Sequence, residues 1–197
     1  YGVSLNVLNR AEKYFDKPKY IHLVRHPYCV IESFVKNRFH RIFTDKQVNP
    51  YRFAEDLWML CENNFSHFFE EVDSSRVLNI SFESLVQNPS QSMKGVANFM
   101  EIDFDTALLE PYEGKRNLGG LGDPDFFNHE NIDACLADKW RNIKLPISLR
   151  SETIELAQKY GYDLQNDNSL GRLNGLGAED IDKMSESELD KFLGLEN

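Results

Sequence analysis

The sequence predicts an α/β fold, a parallel sheet with helices on its faces. Two observations carry that expectation. Two short runs rich in β-forming residues, Tyr20 to Val24 (YIHLV) and Arg76 to Ile80 (RVLNI), each lead on toward a helical pattern. Strands that alternate with helices pack as a parallel sheet covered by those helices. Prolines then mark helix starts: Pro27, Pro50 and Pro89 each head an apolar-periodic stretch, where the missing N–H is harmless. Only two strands are convincing, fewer than a stable doubly wound sheet needs, and no internal repeat is present.

Taken in order, residues 4–15 read as a helix, with Leu5, Leu8 and Phe15 at helical spacing, Ser4 as cap and Asp16-Lys17-Pro18 as its end. The first strand follows and turns through Arg25-His26-Pro27, with His26 held extended by the proline after it. A helix is expected from Pro27 to Phe43. Its stripe is Val30, Ile31, Phe34, Val35, Ile42 and Phe43, with Lys36, Arg38 and Arg41 largely off it. Asn49 caps the next helix, whose stripe runs from Ala54 through Trp58, Cys61 and Phe65 to Val72. After the second strand, a helix from Pro89 to about Met100 turns Met93, Val96, Ala97 and Met100 inward. Residues 111–131 hold four of the eleven glycines and read as a loop. Asn131 is expected to cap a helix through Trp140, and Leu149 to Tyr160 forms another, ended by Gly161.

Composition divides the chain into a domain at 1–164, a polar linker at 165–178 and an acidic amphipathic tail at 179–197. In the tail, Ser185 and Glu188 make a capping box ahead of Leu189, Phe192 and Leu193. That helix either packs back on its own domain or serves as an interdomain or docking segment. With 197 residues and 41% hydrophobic content the chain supports one packed domain. It has neither an apolar run of membrane-spanning length nor a signal-peptide pattern. Cys29, Cys61 and Cys135 lack the spacing of a disulfide framework or zinc site, and a reducing cytoplasm is the expected compartment.

The net charge of −10 disfavours a general nucleic-acid binder. Its distribution is uneven. Residues 1–52 carry ten Lys or Arg against four Asp or Glu, a balance of +6, leaving −16 for the remainder. A basic quarter on an acidic chain fits a small polyanionic ligand bound at one place, or a solvated basic helix face. Arg25 is the focus. It ends a strand that feeds straight into a helix N-terminus, where free N–H groups and the dipole favour an anion. Its guanidinium adds a fork of donors shaped for phosphate or carboxylate. Ser33, eight residues on, brings a hydroxyl two turns into the helix. Local chemistry alone leaves open whether Arg25 instead pairs with a nearby carboxylate.

The run KYIHLVRHPYCVIESF, with its Arg, the Pro two residues on and the Ser eight residues on, resembles the 3′-phosphate-binding segment of sulfotransferases. It is similar in particular to the sulfotransferase domains of bacterial polyketide synthases, of the curacin and olefin-synthase type. The resemblance implies a three-layer, P-loop-like α/β fold and a sulfuryl donor, 3′-phosphoadenosine-5′-phosphosulfate (PAPS), that leaves as 3′-phosphoadenosine-5′-phosphate (PAP). It implies that Arg25 and Ser33 hold the 3′-phosphate. The turn Phe82-Glu83-Ser84-Leu85 is similar to the family's Tyr-Glu-Asp-Leu turn, which places Phe82 beside the adenine with a ring but no hydroxyl. The GDPDF run, Gly122 to Phe126, looks like the family's late loop, so Lys115, Arg116, Gly120, Leu121, Gly122 and Asp123 are expected around the nucleotide.

The family carries a 5′-phosphosulfate loop earlier in its domain, typically a Pro-x-Ser-Gly or Gly-Ser/Thr run. The matching stretch here begins at once, so this chain is expected to be incomplete at its N-terminus and to retain half a cofactor site. Sulfuryl transfer to an alcohol needs a base near the hydroxyl. His26, His40 and Glu55 are the candidates nearest the cofactor segment in sequence, with His129 and Glu113 as a second pair. The acceptor implied is a β-hydroxyl on an acyl chain carried by an acyl carrier protein. The alternatives are another nucleotide-binding α/β transferase, or a non-catalytic interaction module of a multidomain synthase.

Overall fold

The computed structural model describes residues 6–113, 130–164 and 172–195. In chain order it comprises α1 (Asn6–Tyr14), β1 (Tyr20–Val24), α2 (Pro27–Lys36), α3 (His40–Phe43), α4 (Pro50–Glu70), β2 (Val77–Ser81), α5 (Phe82–Gln87) and α6 (Pro89–Met100). A 3-10 segment at Ala134–Asn142 precedes α7 (Ser151–Lys159), β3 (Arg172–Leu173), β4 (Leu176–Gly177), α8 (Ala178–Ile181) and α9 (Glu186–Phe192).

β1 and β2 pair in parallel, from Tyr20 beside Val77 to Val24 beside Ser81. The architecture is therefore the α/β class the sequence predicts, parallel strands flanked by helices. Alternation along β1 sets its two faces. His22 and Val24 are buried, whereas Ile21 and Leu23 are 44% and 50% exposed. The His22 ring packs on Phe65 and Phe69 of α4 and on Tyr160. Its Nε2 lies 3.1 Å from Glu62 Oε2 and its Nδ1 3.0 Å from Asn79 Oδ1 on β2. Burial opposes a charge on this ring, but Glu62 and Asn79 carry its pKa above the ordinary value. The pair ties α4 to both strands.

The main core lies between α2 and α4 and is closed by residues 143–147 and the C-terminal helices. Tyr28, Ile31, Phe34, Val35, Tyr51 and Ala54 meet Leu145, Ile147, Ile181 and Leu189 there. Each fully buried aliphatic side chain stabilises the fold by roughly 1.5–3 kcal/mol. The apolar residues Ile181 and Leu189 of the C-terminal segment thus face the chain's own core. Ser185 caps α9 as expected, its Oγ accepting from Glu188 N–H while Glu188 Oε2 accepts from Ser185 N–H.

Several elements differ from the sequence expectation, each for a physical reason. The helix expected over 27–43 breaks after Lys36, because Arg38 adopts a left-handed φ of 53°. Its guanidinium is held there by Leu195 O at 2.9 Å and Asp190 at 3.1 Å, partners that come from the far end of the chain. The cap ahead of Trp140 is Asp133, not Asn131, and the segment is 3-10 rather than α-helical. Ala137, Trp140 and Ile143 repeat every three residues, which is the 3-10 period. Residues 82–87 form α5 rather than a turn, capped by Ser81, whose Oγ accepts from Ser84 N–H at 3.1 Å. Met100 is 40% exposed instead of inward, while Ala97 is buried. Within the expected linker, residues 172–177 form a hairpin. Its Asn174-Gly175 turn has φ of 51° and 84°, the residue pair that suits a tight two-residue hairpin.

Candidate functional site

The register of the parallel pair brings the two strand ends together, so the β1–α2 turn sits beside the start of α5. Arg25 is half-buried there. Its guanidinium lies over the Phe82 ring, 4.0 Å from the centroid, a contact worth about 0.5–2 kcal/mol. Among the described residues its buried Nε has no hydrogen-bond partner, and no carboxylate pairs with its guanidinium. Stacking on a ring neutralises nothing and leaves the in-plane donors available, so this side chain suits an oxyanion. The pairing with a neighbouring carboxylate that local chemistry allowed is not found among the described residues.

The helix N-terminus contributes less than the sequence implies. Pro27 has no N–H, Tyr28 N–H donates to His26 Nδ1 at 3.2 Å, and Cys29 N–H donates to His26 O at 3.0 Å. The free donors expected at the start of α2 are therefore largely used inside the turn, and what remains for an anion is the positive end of the dipole. Ser33 is half-buried on the same helix. Asn37 Nδ2 donates to Ser33 O at 2.9 Å and stands 3.4 Å from Ser33 Oγ, which makes Asn37 a neighbour the sequence reading did not single out.

Behind Arg25 the turn is clamped. Glu83 Oε1 accepts from His26 N–H at 3.0 Å, and Glu83 Oε2 accepts from the Tyr162 hydroxyl at 2.7 Å. Burial, and then the bond to Glu83, push the Tyr162 pKa well up and keep the phenol protonated. The His26 ring lies flat on Trp140, centroids 4.4 Å apart and planes 8° from parallel, and Arg141 covers Trp140 at 4.5 Å. Burial, and then the Arg141 charge, lower the His26 pKa to about 4. Since Nδ1 accepts the Tyr28 proton, the ring proton resides on Nε2. Glu83 and Tyr162 also escaped the sequence reading. Glu83 stands in a turn read only for its aromatic neighbour, and nothing in the sequence marks a tyrosine 79 positions later as its partner.

The structure separates the three candidate bases. His26 is 1% exposed and caps α2. His40 begins α3, 7% exposed, with its pKa lowered by burial and then by Arg41. Glu55 is fully buried and joins α4 to the start of α7. Its Oε2 accepts from Arg52 at 2.7 Å, and its Oε1 accepts from Arg150 N–H at 2.7 Å and from the Thr153 hydroxyl at 2.8 Å. No hydrogen bond or ion pair joins any two of the three. Glu113 is exposed. Lys115, Arg116, Gly120, Leu121, Gly122, Asp123 and His129 lie outside the described residues. A cleft of about 420 Å³ beside β2 and α6, lined by Asn79, Ser84, Asn88 and Gln91 among others, involves none of the residues chosen from sequence.

Comparison with known proteins places this geometry in a class. A profile of the sulfotransferase family matches residues 4–106, a stretch that contains Arg25, Ser33, Phe82 and Glu83. The chain belongs to that family. Among solved structures it is similar to the sulfotransferase domain from the curacin biosynthetic pathway, at 40% identity and a TM-score of 0.77 over 82% of this chain and 59% of that one. It is also similar to the sulfotransferase domain from the Synechococcus PCC 7002 olefin synthase, at 43% identity and a TM-score of 0.73 over 82% of this chain and 55% of that one. The chain therefore spans somewhat more than half the length of each. A search of curated proteins gives no match.

Proposed function

We propose that the chain works as a PAPS-dependent sulfotransferase, and that Arg25, with Ser33, holds the donor's 3′-phosphate. The observation that carries this reading is the state of Arg25: a guanidinium at a strand end, laid on Phe82 and unpaired with any described carboxylate. When bound, PAPS supplies the sulfuryl group. The chain's own part at this end is to fix the nucleotide by a bidentate charge-assisted contact, with the α2 dipole favouring the same negative charge and Phe82 near the adenine. Lys115, Arg116, Gly120, Leu121, Gly122 and Asp123 are proposed to complete the nucleotide site.

The two solved relatives come from a curacin pathway and an olefin synthase. That context supports a polyketide-type substrate, a β-hydroxyl on an acyl chain tethered to an acyl carrier protein. Sulfation converts such a hydroxyl into a leaving group. Among His26, His40 and Glu55, His26 and Glu55 are engaged in structural bonds, so the base near the acceptor hydroxyl is sought first at His40.

The test is a calorimetric titration with PAP beside AMP, which lacks the 3′-phosphate. PAP is expected to bind more tightly. Arg25→Ala is expected to remove that preference, a loss of about 1.5–3 kcal/mol for a charged hydrogen bond, with AMP affinity unchanged. Equal binding of the two nucleotides by the unaltered chain would reject the reading.

A further inference from the structure

We infer that Glu83, seconded by Tyr162, is a positioning residue for the 3′-phosphate arginine, a role that rests on the sulfotransferase reading above. The inference comes from register. Val24 and Ser81 are the last paired positions of the parallel strands. One step further sets Arg25 beside Phe82, and two steps set His26 beside Glu83. Both contacts are present: the guanidinium on the Phe82 ring at 4.0 Å and Glu83 Oε1 on His26 N–H at 3.0 Å. Consecutive residues of α5 thus hold consecutive residues of the β1–α2 turn, one by the side chain and one by the backbone.

Glu83 has a second anchor. Its other oxygen accepts from Tyr162 at 2.7 Å, a residue that follows α7 and is placed by the left-handed Gly161, φ 87°. A carboxylate held at both oxygens cannot rotate without breaking a bond. The His26 amide it grips belongs to the peptide that joins Arg25 to His26, just ahead of the rigid Pro27, so its direction sets where the Arg25 Cα–Cβ bond points. Without this clamp the guanidinium can still reach the Phe82 ring, but its donors lose their fixed heading. A misdirected fork costs affinity for the 3′-phosphate and not for the rest of a nucleotide.

The ratio of PAP to AMP affinity reads this directly, whereas a merely structural role would weaken both nucleotides or lower Tm alone. Glu83→Ala is expected to reduce the ratio about tenfold, the worth of one well-aligned charged hydrogen bond, with AMP binding unchanged. Glu83→Gln, which keeps an acceptor for His26 N–H, is expected to retain most of the ratio. Tyr162→Phe, which removes one hydroxyl and no backbone contact, is expected to reduce it about threefold, and serves where Glu83→Ala does not fold. In an Arg25→Ala background, Glu83→Ala is expected to add nothing to the loss. A wild-type ratio in folded Glu83→Ala or in Tyr162→Phe, or full additivity with Arg25→Ala, would overturn the inference alone. An unaltered chain that does not prefer PAP would overturn it together with the reading on which it rests.

Discussion

Arg25 and the pair Arg38 and Arg41 belong to one basic stretch, yet the fold treats them in opposite ways. Arg38 meets Asp190 at 3.1 Å and the Leu195 carbonyl at 2.9 Å. Arg41 meets Asp190 at 3.4 Å and Glu186 at 3.7 Å. The acidic α9 thus neutralises the far end of α2 and α3. Arg52 and Arg76 are likewise matched, to Glu55 and Glu12. Arg25 faces an aromatic ring and no described carboxylate. In the first quarter of the chain Lys19, Lys36, Arg38, Arg41 and Arg52 thus stand in structural ion pairs, whereas Arg25, at a strand end and laid on a ring, is left for a ligand. A positive balance does not by itself locate a site.

Experiments can sharpen or break that contrast. The largest expected effect is on the paired side. Glu55→Ala strands the Arg150 amide and the Thr153 hydroxyl in a buried place, and about 3 kcal/mol of stability is expected to be lost, read as a lower urea midpoint at constant m. The PAP preference of the remaining folded protein should be unchanged. A preference that vanished with Glu55 would join the two regions into one.

Next in size is an acid-side slope. The folded pKa of His26, about 4, lies below its usual 6.5. Below pH 6.5 the unfolded chain takes up a proton that the folded chain refuses, so stability is complete above 6.5 and falls as pH drops toward 4, by up to about 3 kcal/mol. His22 runs the other way. Its raised pKa contributes stability that is full below pH 6.5 and fades as pH rises through the folded value. His26→Asn keeps a capping side chain but removes the titration, and unfolding measured from pH 7 to 4 should then show a flatter acid limb. An unchanged slope would mean that His26 is not the group responsible.

The smallest effect belongs to the surface pairs. Asp190→Asn removes the negative charge shared by Arg38 and Arg41, and a loss of only about 0.5–1 kcal/mol is expected, shrinking as salt is added. Nucleotide binding should not respond. A gain in PAP affinity would show that α9 competes for the same cationic surface.

Much of the fold was legible because its signals are local. Strand residues at 20–24, the prolines opening α2, α4 and α6, the Asn49 cap and the Ser185–Glu188 box each depend on neighbours a few positions away. The hairpin at 172–177 was legible in principle, since Asn174-Gly175 is a local signal, but the polar composition around it read as linker. The 3-10 period of Ala137, Trp140 and Ile143 was hidden in the same way, three residues being easily taken for helical spacing. Arg25 could be chosen from its place at a strand end before a proline, and the resemblance supplied its chemistry.

What the sequence by itself determined is the α/β class, the order of α1, β1, α2, α4, β2 and α6, and the residue types at the β1–α2 turn, because propensity, capping and periodicity act over a few residues. The tertiary structure decided which cations are free, which histidine and which carboxylate are buried, and what clamps the turn. Those outcomes hang on contacts such as Arg38 with Asp190, Glu55 with Thr153 and Glu83 with Tyr162, whose partners stand 79 or more positions apart. No local pattern encodes such a meeting, since it is the packing of α2, α4 and the C-terminal helices around one core that brings the partners within reach.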